Sequence, residues 1–448
     1  MILMVAKSLL AVIIGIFILG VMVIIHELGH FVAAKALRFK VLAFSIGFGK
    51  VLLKKTAGET EYRLSAIPFG GYVKMAGEQP DDEQTGESYE FMVKPKWQRA
   101  VVAVAGPVAN FLSAILMLWI MYQVGVERPQ YLDRPVIGYV ADSSAAHDAG
   151  IRAGDSVVAM NGTAIASWND IEDRFMTPEN PVILSLVRDG ASLRRNIDRN
   201  PAKGEEYTAP FGMEPALPPV VGKVRDTLPA AKAGMRPGDT VLSIDSVRIY
   251  SWFQISGVLK EGRPGETRMV GIARTGLRET LSIQPFFDRT DSRFVLGIEI
   301  KSPEARKVRY GALPAVDRCL RKSWDYTTMI FDVLGKLISR KVSTTELSGP
   351  VGIIPASGII ALQGLSPLLN FMALISINLG VLNLFPLIIT DGGLLLFLLL
   401  EAIRRKPLSL KTQLSINRFA IIFFILFFFY VSMNDFHKLP EIFKLFGK

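Results

Sequence analysis

The sequence predicts a polytopic α-helical membrane protein of about four transmembrane helices, with a β-rich segment at the cytoplasmic side and two tandem α+β domains outside. Three observations support this fold class: the composition, the positions of long uncharged runs, and an internal repeat. Of 448 residues, 50% are hydrophobic and only 21% are charged, and the mean hydropathy is +0.32. A water-soluble chain needs more polar surface, so part of the apolar content is expected to face lipid. The same composition excludes an intrinsically disordered chain.

Long runs without Asp, Glu, Lys or Arg indicate where the chain crosses the membrane. Residues 8–26 and 100–126 each predict one span, because a spanning helix needs about 20 mostly apolar residues. The run 347–390 is too long for one span and contains prolines, including Pro386. We expect it to form a short buried or interfacial piece followed by a broken spanning helix. The run 419–434 is short but dense in Phe and Ile, and it predicts a fourth span.

Basic residues indicate the orientation of these spans. Lys and Arg are concentrated in the loop between spans one and two and in the loop between spans three and four. The positive-inside rule places both loops in the cytoplasm, with both termini and residues 127–346 outside. The net charge of +10 is then largely a topology signal, so we expect membrane lipid and no nucleic acid as a partner. A cleavable signal peptide is disfavoured, because ionisable residues stand at positions 26, 27 and 30.

The outside segment contains a repeat. Residues 144–155 recur as residues 228–239 at an offset of 84, and each copy predicts a short helix, a Gly-Asp turn and a strand. The pattern resembles bacterial PDZ domains over about residues 128–303, and this implies that peptide ends bind by β-addition. Turn-forming glycines alone would not explain the offset. Residues 304–346, which follow, predict an amphipathic linker helix. The single cysteine, Cys319, excludes an intrachain disulfide.

The segment His26-Glu27-Leu28-Gly29-His30 is the strongest candidate for chemistry. On a helix, residues i and i+4 face the same way, so both imidazoles can bind one metal with Glu27 beside it. Such ligands suit Zn²⁺ and leave a position for water, whose proton Glu27 could accept. The chain has only four histidines, and two of them have this spacing. The alternative, two histidines hydrogen-bonded to lipid headgroups, leaves Glu27 and the spacing unexplained.

A third metal ligand is expected to be Asp391. His147 and His437 are both predicted outside the membrane, whereas Asp391 ends the long uncharged run beside Gly392-Gly393. A carboxylate in such a run needs a partner, and a divalent metal supplies one. Taken alone, an N-cap role for Asp391 at the following helix is equally plausible. Together with the two histidines, the metal-ligand interpretation is favoured, with one Zn²⁺ per chain.

These residues resemble the site-2 protease family of intramembrane zinc metalloproteases, in its branch with two PDZ domains. The resemblance covers nearly the whole chain. Its motifs are the H-E-x-x-H pattern, the N-x-x-P…D-G pattern that runs from Asn383 to Gly392, and Gly106-Pro107-Val108-Ala109-Asn110. Ile388 and Leu394 depart from the family pattern near Asp391.

The resemblance implies a role for each site residue. His26, His30 and Asp391 would hold zinc, Glu27 would be the catalytic base, and Asn383 would hydrogen bond the substrate backbone or the developing oxyanion. It also implies cleavage of single-pass membrane proteins, including an anti-sigma factor and remnant signal peptides. The expected location is the inner membrane of a Gram-negative bacterium.

The β-rich stretch between residues 39 and 75, with Gly47-Phe48-Gly49, predicts hairpins near the cytoplasmic face. Similar segments in the family form a membrane-associated sheet beside the active site. A helical substrate must unwind before cleavage, and an exposed strand edge could hold the unwound piece, which makes Gly47 and Gly49 candidate substrate-binding residues. A plain cytoplasmic hairpin remains the alternative.

Two other functional classes are considered. A membrane-anchored PDZ adaptor with a non-catalytic metal site would have no use for Glu27, and a metal transporter predicts inverted repeats of spans. The predicted segments are residues 1–34 (first span), 35–99 (β-rich), 100–126 (second span), 128–214 and 215–303 (PDZ-like), 304–346 (linker helix), 347–403 (buried piece and broken third span) and 416–436 (fourth span).

Overall fold

The structure is a computed structural model that describes residues 2–78, 85–142, 144–175, 180–198, 210–260, 263, 265–288, 293–339, 349–386 and 390–405, with isolated residues between 412 and 435. The chain divides into two compact units. The membrane unit comprises Met1–Val126 and Val308–Lys448, and the repeat unit comprises Glu127–Lys307.

The described residues form helices at both ends of the chain and mostly strands, with short helices, between them. The helices are α1 (Ile2–Ala36), α2 (Lys96–Val124), α3 (Ala145–Asp148), α4 (Trp168–Phe175), α5 (Pro229–Lys232), α6 (Trp252–Lys260), α7 (Ala312–Ile338), α8 (Pro350–Leu362), α9 (Leu365–Leu384) and α10 (Asp391–Arg404). The strands are β1 (Val41–Ala57), β2 (Thr60–Met75), β3 (Val126–Pro129), β4 (Ile137–Val140), β5 (Ser156–Met160), β6 (Thr163–Ala164), β7 (Val182–Arg188), β8 (Ala191–Ile197), β9 (Met213–Pro215), β10 (Val221–Val224), β11 (Thr240–Ile244), β12 (Val247–Arg248), β13 (Arg268–Arg274), β14 (Leu277–Ile283), β15 (Phe286–Asp288), β16 (Arg293–Val295), β17 (Ile298–Ile300) and β18 (Ala305–Val308).

Three described helices are long and apolar enough to cross a membrane. They are Leu9–Ala36 within α1, Lys96–Val124 (α2) and Leu365–Leu384 (α9). Their lengths of 28, 29 and 20 residues fit the hydrocarbon thickness of a bilayer. Of the fourth predicted span, residues 416–436, the structure describes twelve residues in short pieces, and all twelve are helical.

The predicted break in the third span lies between α9 and α10. α9 ends at Leu384, and Phe385 adopts an extended backbone because Pro386 follows it. The new helix α10 begins at Asp391, with Thr390 in the N-cap position. Asp391 is therefore the first helical residue and not the N-cap. Upstream, the short predicted piece is the helix α8.

The spans pack closely where glycine faces a neighbouring backbone. A Cβ added at Gly29 on α1 would lie 2.7 Å from the Cβ of Ala109 on α2, so these two helices approach more closely than larger residues would allow. α2 also packs on α9 through a buried cluster that includes Leu118 and Ile377. α7 adds Cys319 to this cluster, and its helical part starts at Ala312. Earlier residues of the predicted linker form β18, which pairs with β3.

β1 and β2 form a sheet in which different segments of one long strand pair with different segments of the other. Residues 41–46 pair with residues 71–75 and also with residues 61–64, whereas residues 51–57 pair with residues 60–65. The change in β1 falls at Gly47, whose φ of +87° favours glycine. Among the described residues, the segment 71–75 has a β partner on one side only.

The repeat unit contains two copies of one arrangement. The strand order is β6-β5-β7-β8 in the first copy and β12-β11-β13-β14 in the second, and each copy has its own buried core. The Gly-Asp turn has a structural role in both. Arg188 donates to buried Asp155 at 2.6 and 2.7 Å, and Arg274 donates to buried Asp239 at 2.8 and 2.7 Å. These bidentate pairs tie the turn to the end of the neighbouring strand, which is β7 in the first copy and β13 in the second.

Candidate active site

A cavity of about 310 Å³ lies within the membrane unit. Side chains from α1, β2, α2, α9 and α10 line it. The predicted residues His26, Glu27, His30, Asn383 and Asp391 all contribute to this lining. Residues more than 350 positions apart in the sequence thus meet in one space between the spanning helices.

His26, His30 and Asp391 converge on one point in this cavity. The two Nε2 atoms lie 3.2 Å apart. Asp391 Oδ2 lies 3.1 Å from His26 Nε2, and Asp391 Oδ1 lies 3.3 Å from His30 Nε2. The ligand atoms of the three residues all lie within 4.8 Å of one another. α1 supplies both imidazoles from successive turns, and the start of α10 supplies the carboxylate.

The separations of these atoms fit a tetrahedral zinc site. With bonds of about 2.0–2.1 Å, the ligand atoms of tetrahedral Zn²⁺ are about 3.3–3.4 Å apart. The measured separations of 3.1 to 3.3 Å are close to that edge length. Two imidazoles and one carboxylate form a donor set that zinc accepts, with a fourth position left open. The three residues therefore fit the metal that the sequence predicts.

Glu27 lies beside this ligand set, next to β2. A Cβ added at Gly71 would be 3.2 Å from Glu27 Cγ, and the backbone of Val73 lies beside the Glu27 carboxylate. The side chain is half-buried and lines the cavity. Glu27 is thus placed to reach a water molecule in the cavity, but it is not part of the converging set of three ligand atoms.

The remaining predicted site residues occupy different places. Asn383, near the end of α9, has its Nδ2 3.2 Å from His26 Nε2. Gly47 and Gly49 stand at the change of partner in β1, and neither is among the described residues that line the cavity. His147 lies on α3 of the repeat unit, while His437 and Ile388 fall outside the described residues. Leu394 lines the cavity.

The structure adds contacts that the sequence did not indicate. Asn110 on α2 is fully buried, and its Nδ2 lies 3.1 Å from His26 Nδ1. The carbonyl oxygen of Val102 lies 2.7 Å from His30 Nδ1. Tyr72 and Val73 on β2 also line the cavity. The motif Gly106–Asn110 was identified only by its resemblance to the family. The signal that could have indicated a role is a polar Asn side chain within a long uncharged run.

Comparison with known proteins decides the family. The sequence model of peptidase family M50 matches residues 14–427. The chain is a member of peptidase family M50. This M50 peptidase is 33% identical over 442 residues to the regulator of sigma-E protease RseP of Escherichia coli (strain K12), covering 94% of this chain and 97% of the relative. Haemophilus influenzae has a regulator of sigma E protease that is 32% identical over 441 residues, with 94% and 97% coverage.

A further relative in Pasteurella multocida bears the name of a zinc metalloprotease, and it is 34% identical over 443 residues, covering 95% of the M50 peptidase and 98% of the relative. A solved PDZ domain of the SdrC-like protein of Listeria monocytogenes covers 18% of the chain and 82% of that domain, at 22% identity and a TM-score of 0.16, which is too low to show a shared fold. The expected resemblance to the site-2 protease family is confirmed, and the chain is an intramembrane metalloendopeptidase.

Proposed function

We propose that this M50 peptidase is a zinc-dependent enzyme that cleaves the membrane-spanning segments of single-pass proteins near the cytoplasmic face of a bacterial inner membrane. The observation that carries the proposal is the convergence of His26, His30 and Asp391, at 3.1 to 3.3 Å, in a cavity that also holds Glu27. One zinc ion per chain would be held by these three side chains. An adaptor with a structural metal would have no use for the carboxylate of Glu27.

The proposed chemistry divides among the residues of the cavity. Zinc, when bound, makes a water molecule acidic, with a pKa of about 7, and polarises the peptide carbonyl. Glu27 accepts the proton of the attacking water and passes it to the nitrogen of the leaving amine. Asn383 donates from Nδ2 to the substrate carbonyl oxygen as negative charge develops on it. The 3.2 Å distance between Asn383 Nδ2 and His26 Nε2 supports this role, because it places the donor at the ligand set.

The edge segment 71–75 is proposed to hold the unwound substrate. Its backbone reaches the Glu27 carboxylate through Val73, and its β partners among the described residues lie on one side only. A substrate strand added to the other side would gain backbone hydrogen bonds that replace those of its own helix. Gly47 and Gly49 would contribute by letting β1 turn, since a Cβ at Gly47 would lie 2.7 Å from the carbonyl oxygen of Ile67.

The repeat unit is proposed to be a pair of PDZ-like domains outside the cytoplasm that admits substrates already trimmed of bulky domains. The repeated strand order and the two equivalent Arg–Asp pairs support two copies of one domain. An anti-sigma factor is the proposed substrate class, because two curated relatives are named as regulators of sigma-E protease. Remnant signal peptides are proposed as a second class, on the family resemblance.

Two substitutions separate metal binding from proton transfer. Glu27→Gln should retain one zinc per chain and lose cleavage by a factor of about 10²–10⁴, because the amide cannot accept the proton of water. Asp391→Ala should lose both zinc and cleavage. Zinc content is measured by plasma mass spectrometry of the purified chain, and cleavage with a single-spanning model substrate. Near wild-type cleavage by Glu27→Gln, or full zinc content in Asp391→Ala, would overturn the assigned roles.

A further inference from the structure

His26 lies between two asparagine side chains from different helices. Asn110 Nδ2 on α2 lies 3.1 Å from His26 Nδ1, and Asn383 Nδ2 on α9 lies 3.2 Å from His26 Nε2. His26 is only 5% exposed and Asn110 is not exposed at all. Because Asn110 is fully buried, the hydrogen bond at the Nδ1 side of this ring is made by a protein group.

The neutral imidazole cannot accept from both amides. A neutral ring carries one N–H and one lone pair, so only one of its nitrogens can accept a hydrogen bond. One of the two asparagines must then present its oxygen, which a half-turn about its χ2 angle accomplishes. When Nδ2 of Asn110 faces the ring, the buried oxygen Oδ1 of the same amide has no hydrogen-bond partner among the described residues.

His30 shows which nitrogen faces the metal position. Its Nδ1 lies 2.7 Å from the carbonyl oxygen of Val102. A carbonyl only accepts, so this nitrogen carries the hydrogen and Nε2 carries the lone pair. His26 Nε2 lies 3.2 Å from that atom and 3.1 Å from Asp391 Oδ2, so it faces the same point. The ligand nitrogen of His26 is therefore Nε2, and its hydrogen belongs on Nδ1.

We propose that Asn110 is a positioning residue whose Oδ1 accepts a hydrogen bond from His26 Nδ1–H and so directs the Nε2 lone pair at the metal position. This inference rests on the proposed zinc site. Asn110 does for His26 what the carbonyl of Val102 does for His30. Asn383 lies on the metal side of the same ring, so the two asparagines have separate roles.

The main chain at Asn110 is held in place independently of the ring. Its carbonyl oxygen accepts from Ser113 Oγ at 2.9 Å and from Ser376 Oγ at 3.0 Å, which ties α2 to α9. The amide is therefore presented from a fixed backbone. Ser113→Ala removes the contacts of Ser113 Oγ with the Asn110 carbonyl and with Ser376 Oγ, both at 2.9 Å, without touching His26, and it provides a matched control.

Zinc affinity is the first readout. Removing the partner of a ligating histidine typically weakens metal binding by about 10- to 100-fold. Asn110→Leu, which keeps the branched shape of the side chain and has no acceptor, should show this loss in competition with a chromogenic chelator. Asn110→Asp keeps an acceptor at Nδ1–H and should stay within about 3-fold of wild type or bind zinc more tightly. Ser113→Ala should match wild type.

The tautomer of His26 is the second readout, and it does not depend on zinc. Magic-angle-spinning NMR of the zinc-free full chain in lipid, labelled with ¹⁵N-histidine, distinguishes protonated from unprotonated ring nitrogens. The chain carries Asp391→Ala, because the Asp391 carboxylate, 3.1 Å from His26 Nε2, would otherwise accept a hydrogen bond from that nitrogen when zinc is absent. Only four histidines contribute, and loss of a signal in His26→Ala assigns the ring. In this Asp391→Ala background, the chains with Asn110 and with Asn110→Asp should carry the hydrogen on Nδ1, whereas Asn110→Leu should shift the population towards Nε2–H.

The outcomes separate this inference from the proposed function. Wild-type protein that binds no zinc refutes the zinc site itself. Wild-type protein that binds zinc, with unchanged affinity and tautomer in Asn110→Leu, refutes the role of Asn110 alone. If Asn110→Leu does not fold in detergent, the inference is still tested by Asn110→Asp, since a folded Asn110→Asp chain that loses zinc by 10-fold or more overturns it.

Discussion

Gly106 on α2 leaves the space that the two histidines occupy. A Cβ added there would lie 2.6 Å from His30 Cε1 and 2.9 Å from His26 Cε1, and it would be closer still to His30 Nε2. Carbon atoms in contact are about 3.5–4.0 Å apart, so Gly106→Ala must displace the His30 ring by about 1 Å. Zinc ligands tolerate deviations of only about 0.2 Å. We therefore expect this single methyl group to disrupt the metal site.

The expected loss of stability is small, because two effects of the added methyl group on the free energy of unfolding oppose each other. Overpacking costs about 1–3 kcal/mol, and replacing glycine by alanine in a helix returns about 1 kcal/mol. The folded state should thus survive with a small loss of stability. A displacement of about 1 Å at reacting groups costs about 10²-fold in rate, so cleavage should fall at least about 100-fold. Zinc affinity should fall by a comparable factor.

The assay pairs zinc competition and substrate cleavage with a thermal melt of the same detergent-solubilised chain. Gly335→Ala is the matched control, because Gly335 is exposed on α7 and, apart from its own helix backbone and chain neighbours, no described atom lies within 4 Å of the added Cβ. That variant should bind zinc and cleave substrate as the wild type does. A Gly106→Ala chain with wild-type zinc affinity and cleavage would refute the close packing of α2 on the ligand histidines.

Two further predictions concern the repeat unit. Arg188→Leu leaves the buried carboxylate of Asp155 unpaired and should lower the free energy of unfolding of this unit by about 3 kcal/mol. This value is at the lower end of the usual range because the Arg188 side chain is 22% exposed. A denaturant titration with an unchanged midpoint would contradict the prediction. Burial acts to raise the pKa of Asp239, but hydrogen bonds, first of all from Arg274, outweigh burial and hold that pKa below its ordinary value. Because the folded-state pKa is lowered, Asp239 contributes stability that is complete above about pH 4 and is lost as the pH falls. Asp239→Asn should therefore reduce the loss of stability in acid. If stability fell with pH in the variant as it does in the wild type, the result would argue against the Asp239–Arg274 pair.

Much of the candidate site could be predicted because its signals are local. The spacing of His26 and His30 places both rings on one helix face, and an ionisable side chain in an apolar run is costly unless it has a partner. From the sequence, a metal-ligand role for Asp391 could be distinguished from an N-cap role only by considering Asp391 together with the two histidines. Pro386 marked the break that frees Asp391 from α9, because proline cannot continue a helix.

Other features depend on long-range contacts that no local pattern reports. Asn110 is an uncharged residue in an uncharged run, and its place beside His26 depends on how α1 packs against α2. The alternating stretches of β1 and β2 predicted strands, but not that residues 41–46 would pair on both sides. The Gly-Asp turn was predicted from sequence, whereas the arginine that pairs with each aspartate lies 33 or 35 residues away.

This M50 peptidase is proposed to cleave membrane segments with a metal held by His26, His30 and Asp391. The most direct test incubates the purified full chain with a single-spanning model substrate after zinc removal by a chelator, and again after zinc is returned. We predict that cleavage stops without zinc and recovers when zinc is restored, and that Glu27→Gln stays inactive throughout. Cleavage that continues at the wild-type rate in the zinc-free chain would contradict the account.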